Sequence, residues 1–494
     1  MTGLTGRIDS PPADILREEV LDPQFAREAG TLLPWYVAVE KVLLLEYRRM
    51  GLLSPTQART IGSRLDEISA DRIAADGTGN LSDIAFAIER YVHDGPVPPP
   101  GAWHVDRSRN DLQSCAQLLY ARGELASLVA RAGTLARAAV DLAATGTRLP
   151  MPGYTHLQAA QTITPGFYLC ALAEETLRAM RQLRATHDAI SECPLGAGAM
   201  AGQELEWDLD RLAQLLTFDR PARHALVAVA SRGWALRIGG DLSAYGVVLG
   251  RFVTDLMTWS SGAYGFLDLP DAMAGISSAM PQKRNFPVLE RIRGRTAHLT
   301  SLSLDLTLTQ RATPYANMVE VSKEAGTYLP GLFATATSVL RLATTVLAQL
   351  RFVPDRMRAA CEQDYLGGFR LANLLTLREG IPWREAQVVA GRYIAVAVRE
   401  GRPASRPDAE LLRRSAPGFA LTEPAKLLAE AFDVDAGLTA KASAGATGPE
   451  PVERLLDAQR AELDDHAGWC AARRDATAAA MAAIDRELEV PHAV

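Results

Sequence analysis

From residue 112 to 144 the chain runs without a proline. Apolar side chains recur there three and four positions apart: Leu118, Leu119, Leu125, Leu128, Val129, Leu135, Ala139 and Leu142. That period places them on one face of a single α-helix, which Pro150 and Pro152 then stop. Stretches from about 166 to 191, 236 to 260 and 319 to 350 have the same character. All four exceed the three or four turns of an ordinary globular helix, and helices this long bury their apolar stripes by packing side by side. β-Branched runs and period-two alternation are nearly absent. The fold expected is therefore all-α, with an elongated helix bundle at its centre. Flanking segments are shorter and more broken. They divide the chain into an N-terminal helical domain (1–110), the bundle (111–355) and a C-terminal domain of shorter amphipathic helices (356–494).

Composition narrows the function. At 494 residues and 48% apolar the chain can bury a large core, and 58 acidic against 52 basic residues exclude a polyanion binder on bulk charge. The small basic cluster at Arg107 and Arg109 lacks interleaved aromatics, so nucleic acid is not an expected partner. Five cysteines (Cys115, Cys170, Cys193, Cys361, Cys470) stand far apart, with no CxxC and no Cys/His cluster at metal-ligand spacing. This is the pattern of a reduced cytoplasmic protein with no bound metal. The first residues, with Pro11 and Pro12, are unlike a signal peptide. Arginines such as Arg341 interrupt the longest apolar runs, so no membrane span is expected. Only five of the 52 basic residues are lysine (Lys41, Lys283, Lys323, Lys426, Lys441), and each retained lysine asks for a reason.

Four polar, glycine-bearing segments stand at the ends of the long helices. His104-Val105-Asp106-Arg107-Ser108-Arg109-Asn110-Asp111 offers Arg107, Arg109 and Asn110 to carboxylates; equally, Ser108 or Asn110 suits a helix N-cap. Gly153-Tyr154-Thr155-His156-Leu157-Gln158 crowds three polar side chains behind a turn. His156 suits proton transfer near neutrality, or is structural. The segment 194–202, Pro-Leu-Gly-Ala-Gly-Ala-Met-Ala-Gly, lacks the Lys-Ser/Thr ending of a phosphate loop and reads as a tight turn or close packing. Gly275-Ile276-Ser277-Ser278-Ala279-Met280-Pro281-Gln282-Lys283-Arg284-Asn285 sets two hydroxyls near a lysine. A serine beside an ammonium and backbone N–H groups has a stabilised alkoxide and can serve as a base; the plainer reading is a capping serine in a solvated loop.

In this order the segments resemble the argininosuccinate lyase family of the fumarase/aspartase superfamily. Its HxGRSRND corresponds to 104–111, its GYTHLQ to 153–158, its PLGSGALAG to 194–202 and its GSSxMPQKxNPD, changed at both ends, to 276–287; its GxPFREA corresponds to 380–386. The resemblance implies an all-α, three-domain homotetramer whose central bundles merge, each active site drawing segments from three subunits. It implies reversible β-elimination of an N-substituted aspartate to fumarate and an amine, with no metal or organic cofactor. Position by position, Ser277 is the base, and Lys283 and Asn285 grip the carboxylate and stabilise its aci form. Ser108, Asn110 and Thr155 hold the succinyl part, and His156, held by Glu290, assists proton transfer. Arg107, Arg109, Gln158, Ser278, Met280, Tyr315, Glu320 and Lys323 complete the implied substrate contacts.

The departures from that pattern are uneven. Ile276 replaces the glycine ahead of the serines, Asp106 the glycine ahead of the arginine, Ala85 the histidine of EDIH, and Glu320 a glutamine; Leu33-Pro34-Trp35-Tyr36 stands where a Ser/Asp pattern is usual. Succinate-handling positions are kept and amine-handling ones changed. The expected amine is therefore a diamine or amino acid other than arginine, as in the related lyase acting on ethylenediamine-disuccinate, with Glu320 and Asp106 meeting a cationic amine. The alternatives are a true argininosuccinate lyase with tolerated drift, and a catalytically silent, crystallin-like relative.

Overall fold

The computed structural model describes residue 7 and residues 10–489. Helix α1 (Leu33–Arg49) is buried along most of its length. Helix α2 (Arg109–Thr145) starts at Ser108, whose Oγ accepts the Asn110 N–H at 3.2 Å. An antiparallel hairpin follows, β1 (Met151–Thr155) against β2 (Gln158–Ile163). Helix α3 (Pro165–Ala189) is capped by Thr164 and opens on a proline, whose missing N–H is no loss at that position. Then come α4 (Gly233–Trp259), the short ladder β3 (Gly275–Ile276) with β4 (Arg284–Asn285), and α5 (Pro287–Gln310). Helix α6 (Ala325–Gln349) is entered through a π-helical turn, Glu320–Glu324. The long helices read from periodicity lie within a turn of the expected bounds, the fourth when its π-helical turn is counted with it, and the chain is all-α apart from four two-stranded ladders among the described residues.

The last helix differs from expectation. Helix α7 (Pro449–Glu489) has 41 residues, where the sequence suggested only short helices. It runs back along α2, α3 and α1, and its Val452, Leu456, Leu463, Ile484 and Leu488 join one continuous core with the bundle. A second core, built on Leu371, Leu375, Tyr393, Leu412 and Leu428, belongs to the short helices before it. One helix bears on the membrane reading. By length and composition Glu320–Gln349 is apolar enough to cross a bilayer, Arg341 notwithstanding. Here its Leu329, Leu332, Phe333, Ala336 and Val346 are buried within the bundle. The five cysteines are free thiols, four of them buried.

Candidate active site

The residues singled out from the sequence fall at opposite ends of the bundle. At the start of α2 stand Arg107, Ser108, Arg109 and Asn110. The Gln113 and Gln117 amides donate to the Ser322 carbonyl at 3.1 and 2.8 Å, joining the π turn with Glu320 and Lys323 to that end. Tyr315, just before the turn, is exposed. At the far end of α2, Gly146 packs against Pro165, Gly166 and Phe352. The hairpin carrying Thr155, His156 and Gln158 lies there, its Tyr154 ring 5.7 Å from that of Tyr264. The Ser277 loop follows from the same end, where Leu267 pairs with Phe352, and leads into Glu290 in the first turn of α5. With 37 residues, α2 separates the two ends by roughly 55 Å. One chain thus does not bring Ser108 and Asn110 to Thr155, and among the described residues no hydrogen bond or ion pair joins His156 to Glu290.

In the Ser277 loop two backbone N–H groups converge on one hydroxyl. Ser277 Oγ accepts the Met280 N–H at 3.0 Å and the Ala279 N–H at 3.4 Å, and donors converging on one hydroxyl oxygen stabilise its alkoxide. Ser278, Met280 and Lys283 are exposed around it, and Asn285 lies in β4. The stalk of the loop is clamped by Arg284, which reaches Asp268 at 2.6 Å, Asp271 at 2.9 Å and the Leu269 carbonyl. Ile276 points into solvent at 94% exposure. In the hairpin, His156 and Leu157 both have positive φ, 55° and 60°. A two-residue hairpin turn favours Gly or Asn in that conformation, and neither is present. Such strain concentrates at functional sites.

At the start of α2, a polar network docks the glycine loop. Asn110 Nδ2 donates to the Ala199 carbonyl at 2.9 Å, and Asp111 Oδ2 accepts the Gly198 and Gly196 N–H groups at 2.9 and 3.2 Å. Gly198 has φ +58°, with the Gly202 carbonyl where a Cβ would stand, which supports close packing as the role of this loop. Burial pushes the Asp111 carboxyl up to about 7 despite those donors. Two expectations are corrected. Arg107 is not open to substrate: its guanidinium is bidentate on Glu40, and both side chains are buried. Each of those charges is tolerated inside only because the other compensates it. Asp106 adopts φ 58°, the conformation a glycine would serve. Its carboxylate accepts the Glu204 and Leu205 N–H groups and the Trp207 indole. Desolvation raises that carboxyl, but the donors outweigh it and hold it below the usual range. Asp106 therefore ties down the 204–207 segment instead of facing an amine. Arg109 bonds Asp83 at 2.8 Å and stacks over Phe86.

Two residues here escaped the sequence reading. Lys323 Nζ lies 2.7 Å from Glu28 Oε1. Glu28 is buried; desolvation raises its carboxyl against the opposing pull of Lys323, and its Oε2 has no partner. The pair lines a narrow cavity with Gln117, Tyr120, Arg232 and Trp234. Arg232 bonds Gln117 Oε1 and the Val229 and Ser231 carbonyls but no carboxylate, and desolvation lowers its guanidinium to about 10. In sequence, Glu28 is one acid and Arg232 one arginine among dozens; only their meeting in space marks them. Among the described residues no group of three or more His, Cys, Asp or Glu side chains is arranged to hold a metal ion.

Comparison with known proteins places the chain among lyases. A family model described as lyase matches residues 66–299. The argininosuccinate lyase of Acidothermus cellulolyticus is 32% identical, over 85% of this chain and 86% of its own length. That of Thermus thermophilus is 33% identical, over 84% and 89%. Among solved structures, an EDDS lyase in complex with formate superposes with a TM-score of 0.84 at 25% identity, covering 97% of this chain and 96% of that one. A class II fumarase from Schistosoma mansoni shares the fold, with a TM-score of 0.66 at 17% identity over 80% of this chain and 90% of its own.

Proposed function

Because this chain belongs to the argininosuccinate lyase family of the fumarase/aspartase superfamily and is a fumarate-releasing carbon–nitrogen lyase, we propose that its substrate is an N-substituted aspartate whose amine is not arginine, foremost a diamine. The observation that carries this reading is the Lys323–Glu28 ion pair. A lysine at a family substrate-contact position is neutralised here by a buried carboxylate, and Glu320 in the same turn adds a second acid where the family has a glutamine. An amine bearing another positive charge complements that surplus, whereas the carboxylate of an amino acid loses its free lysine.

In this reaction Ser277 removes a proton from the carbon next to the carboxylate, and the electron pair moves into that carboxylate as its aci form. Lys283 and Asn285 stabilise the added charge. Collapse of the aci form breaks the C–N bond, releasing fumarate and an amine that takes up a proton. His156 and Glu290 assist that transfer, and Ser108, Asn110 and Thr155 hold the succinyl group. These groups lie at two ends of the bundle, so the reading requires other copies of the chain, assembled as a homotetramer.

An amine panel incubated with fumarate, followed by loss of the fumarate ultraviolet absorbance, tests the specificity. Diamines such as ethylenediamine should add and arginine should not. Turnover confined to argininosuccinate, with rescue of an arginine auxotroph, would establish the second reading, which the identity to argininosuccinate lyases favours. No addition by any amine would leave only a silent structural role.

A further inference from the structure

We propose that the flank of the bundle between α2 and α7 holds a binding site for a small organic monoanion with an aromatic body. A groove of 1010 Å³ runs there, with the segment 214–220 as its third wall. That volume is at the upper end of the range for small-molecule sites. The groove exists because the facing helices carry small residues, Gly123, Ala126 and Ala130 on α2 and Ala476 and Ala478 on α7, while Trp35 and Phe218 supply aromatic walls.

Arg122 supplies the charge. It is 7% exposed, donates through Nη2 to the Thr217 carbonyl at 2.7 Å and lies over the Phe218 ring. Its Nε has no partner, and no described carboxylate stands within ion-pair distance of it. The other arginines of the groove each have their own acid: Arg220 with Glu192, Arg473 with Asp188, Arg474 with Asp475. Asp210 and Asp219 line the groove too, but both are exposed to solvent, which satisfies them. A guanidinium taken out of water without a carboxylate bonded to it is costly, and here burial lowers its proton affinity against the more distant pull of Asp219 and Asp188. An anion seated against Arg122 removes that cost, and its aromatic body fills the space between Trp35 and Phe218. A second carboxylate would meet Asp210 and Asp219, hence a monoanion. The flank differs from the one suited to association between copies. Exposed Val247 lies on α4 and exposed Leu304 and Leu308 on α5, whereas α7 packs on α2, α3 and α1.

The test uses the full-length protein and the fluorescent anion 8-anilinonaphthalene-1-sulfonate. We expect one saturable site per chain, displaced by 1-naphthoate and not by fumarate. Arg122→Gln should weaken binding about tenfold or more. Gly123→Leu fills the groove from an exposed helical position whose added Cβ makes only ordinary contact with the Trp35 ring. It should weaken binding as strongly while leaving fumarate–amine turnover unchanged, and it decides the matter if Arg122→Gln does not fold. Absence of saturable binding, displacement by fumarate, or undiminished binding to Gly123→Leu would overturn the proposal.

Discussion

Two backbone N–H groups aimed at one hydroxyl make Ser277 the residue on which the proposed chemistry turns. Removing a positioned general base costs about 10²–10⁴-fold in rate. Ser277→Ala should therefore lose activity on that scale in a fumarate-release assay while its oligomer survives in size-exclusion chromatography. Retention of most activity would place the base elsewhere. Asp111 carries a pH dependence. Its carboxyl is raised to about 7 in the fold, against roughly 3.9 for an unfolded aspartate. Between those values the folded state keeps a proton that the unfolded chain releases. Its stabilising contribution is thus full below about pH 4 and is lost as pH rises through 7. Asp111→Asn keeps an acceptor for the Gly198 N–H and removes the titration. Urea unfolding should show it gaining about 1–3 kcal/mol over the parent at pH 8 relative to pH 4; equal pH profiles would refute this. At this scale the sequence was partly legible. The motif residues stand out by type and order, but nothing in the linear text ties Arg107 to Glu40 or Lys323 to Glu28, partners 67 and 295 positions apart.

At the scale of elements, periodicity located the bundle helices and failed on α7. The buried row of that helix does follow helical spacing: Val452, Leu456, Gln459, Leu463, His466. Two of those five are polar, and Gln459 is accommodated by donating to the Cys170 carbonyl at 2.8 Å. A stripe interrupted by amide and imidazole does not read as apolar. The helix nonetheless shares the bundle core. Leu463→Ala should cost about 2–5 kcal/mol in the main cooperative unfolding transition, whereas an unmoved transition would mean that α7 unfolds separately. The hairpin bearing His156 has its own anchor. Lys441 Nζ donates to Gln161 Oε1 at 2.9 Å and to the Thr162 carbonyl at 3.2 Å, linking β2 to the segment that precedes α7. Four of the five lysines thus have identifiable places: Lys41 between Asp66 and Asp485, Lys283 in the Ser277 loop, Lys323 in the π turn, Lys441 beneath the hairpin.

For the whole molecule, the decisive quantity is the length of α2. The four chemical segments are recognisable in the sequence, yet only the fold shows that they are sorted to two ends of a bundle roughly 55 Å long. Their separation follows from antiparallel packing: α3 returns along α2, α4 runs back up, and each loop between long helices lands at one end or the other. A site that needs both ends has to be completed by neighbouring copies, and the exposed Val247, Leu304 and Leu308 offer α4 and α5 as the apolar face for that association. The most direct test mixes two inactive variants, Ser277→Ala with the defect at one end and Asn110→Ala with the defect at the other, and co-assembles them in equal amounts. Sites built across copies should regain about a quarter of parental fumarate release, since random assembly gives that fraction an intact group from each end. Mixed oligomers, verified by native mass spectrometry, that remain as inactive as either variant alone would contradict the shared site.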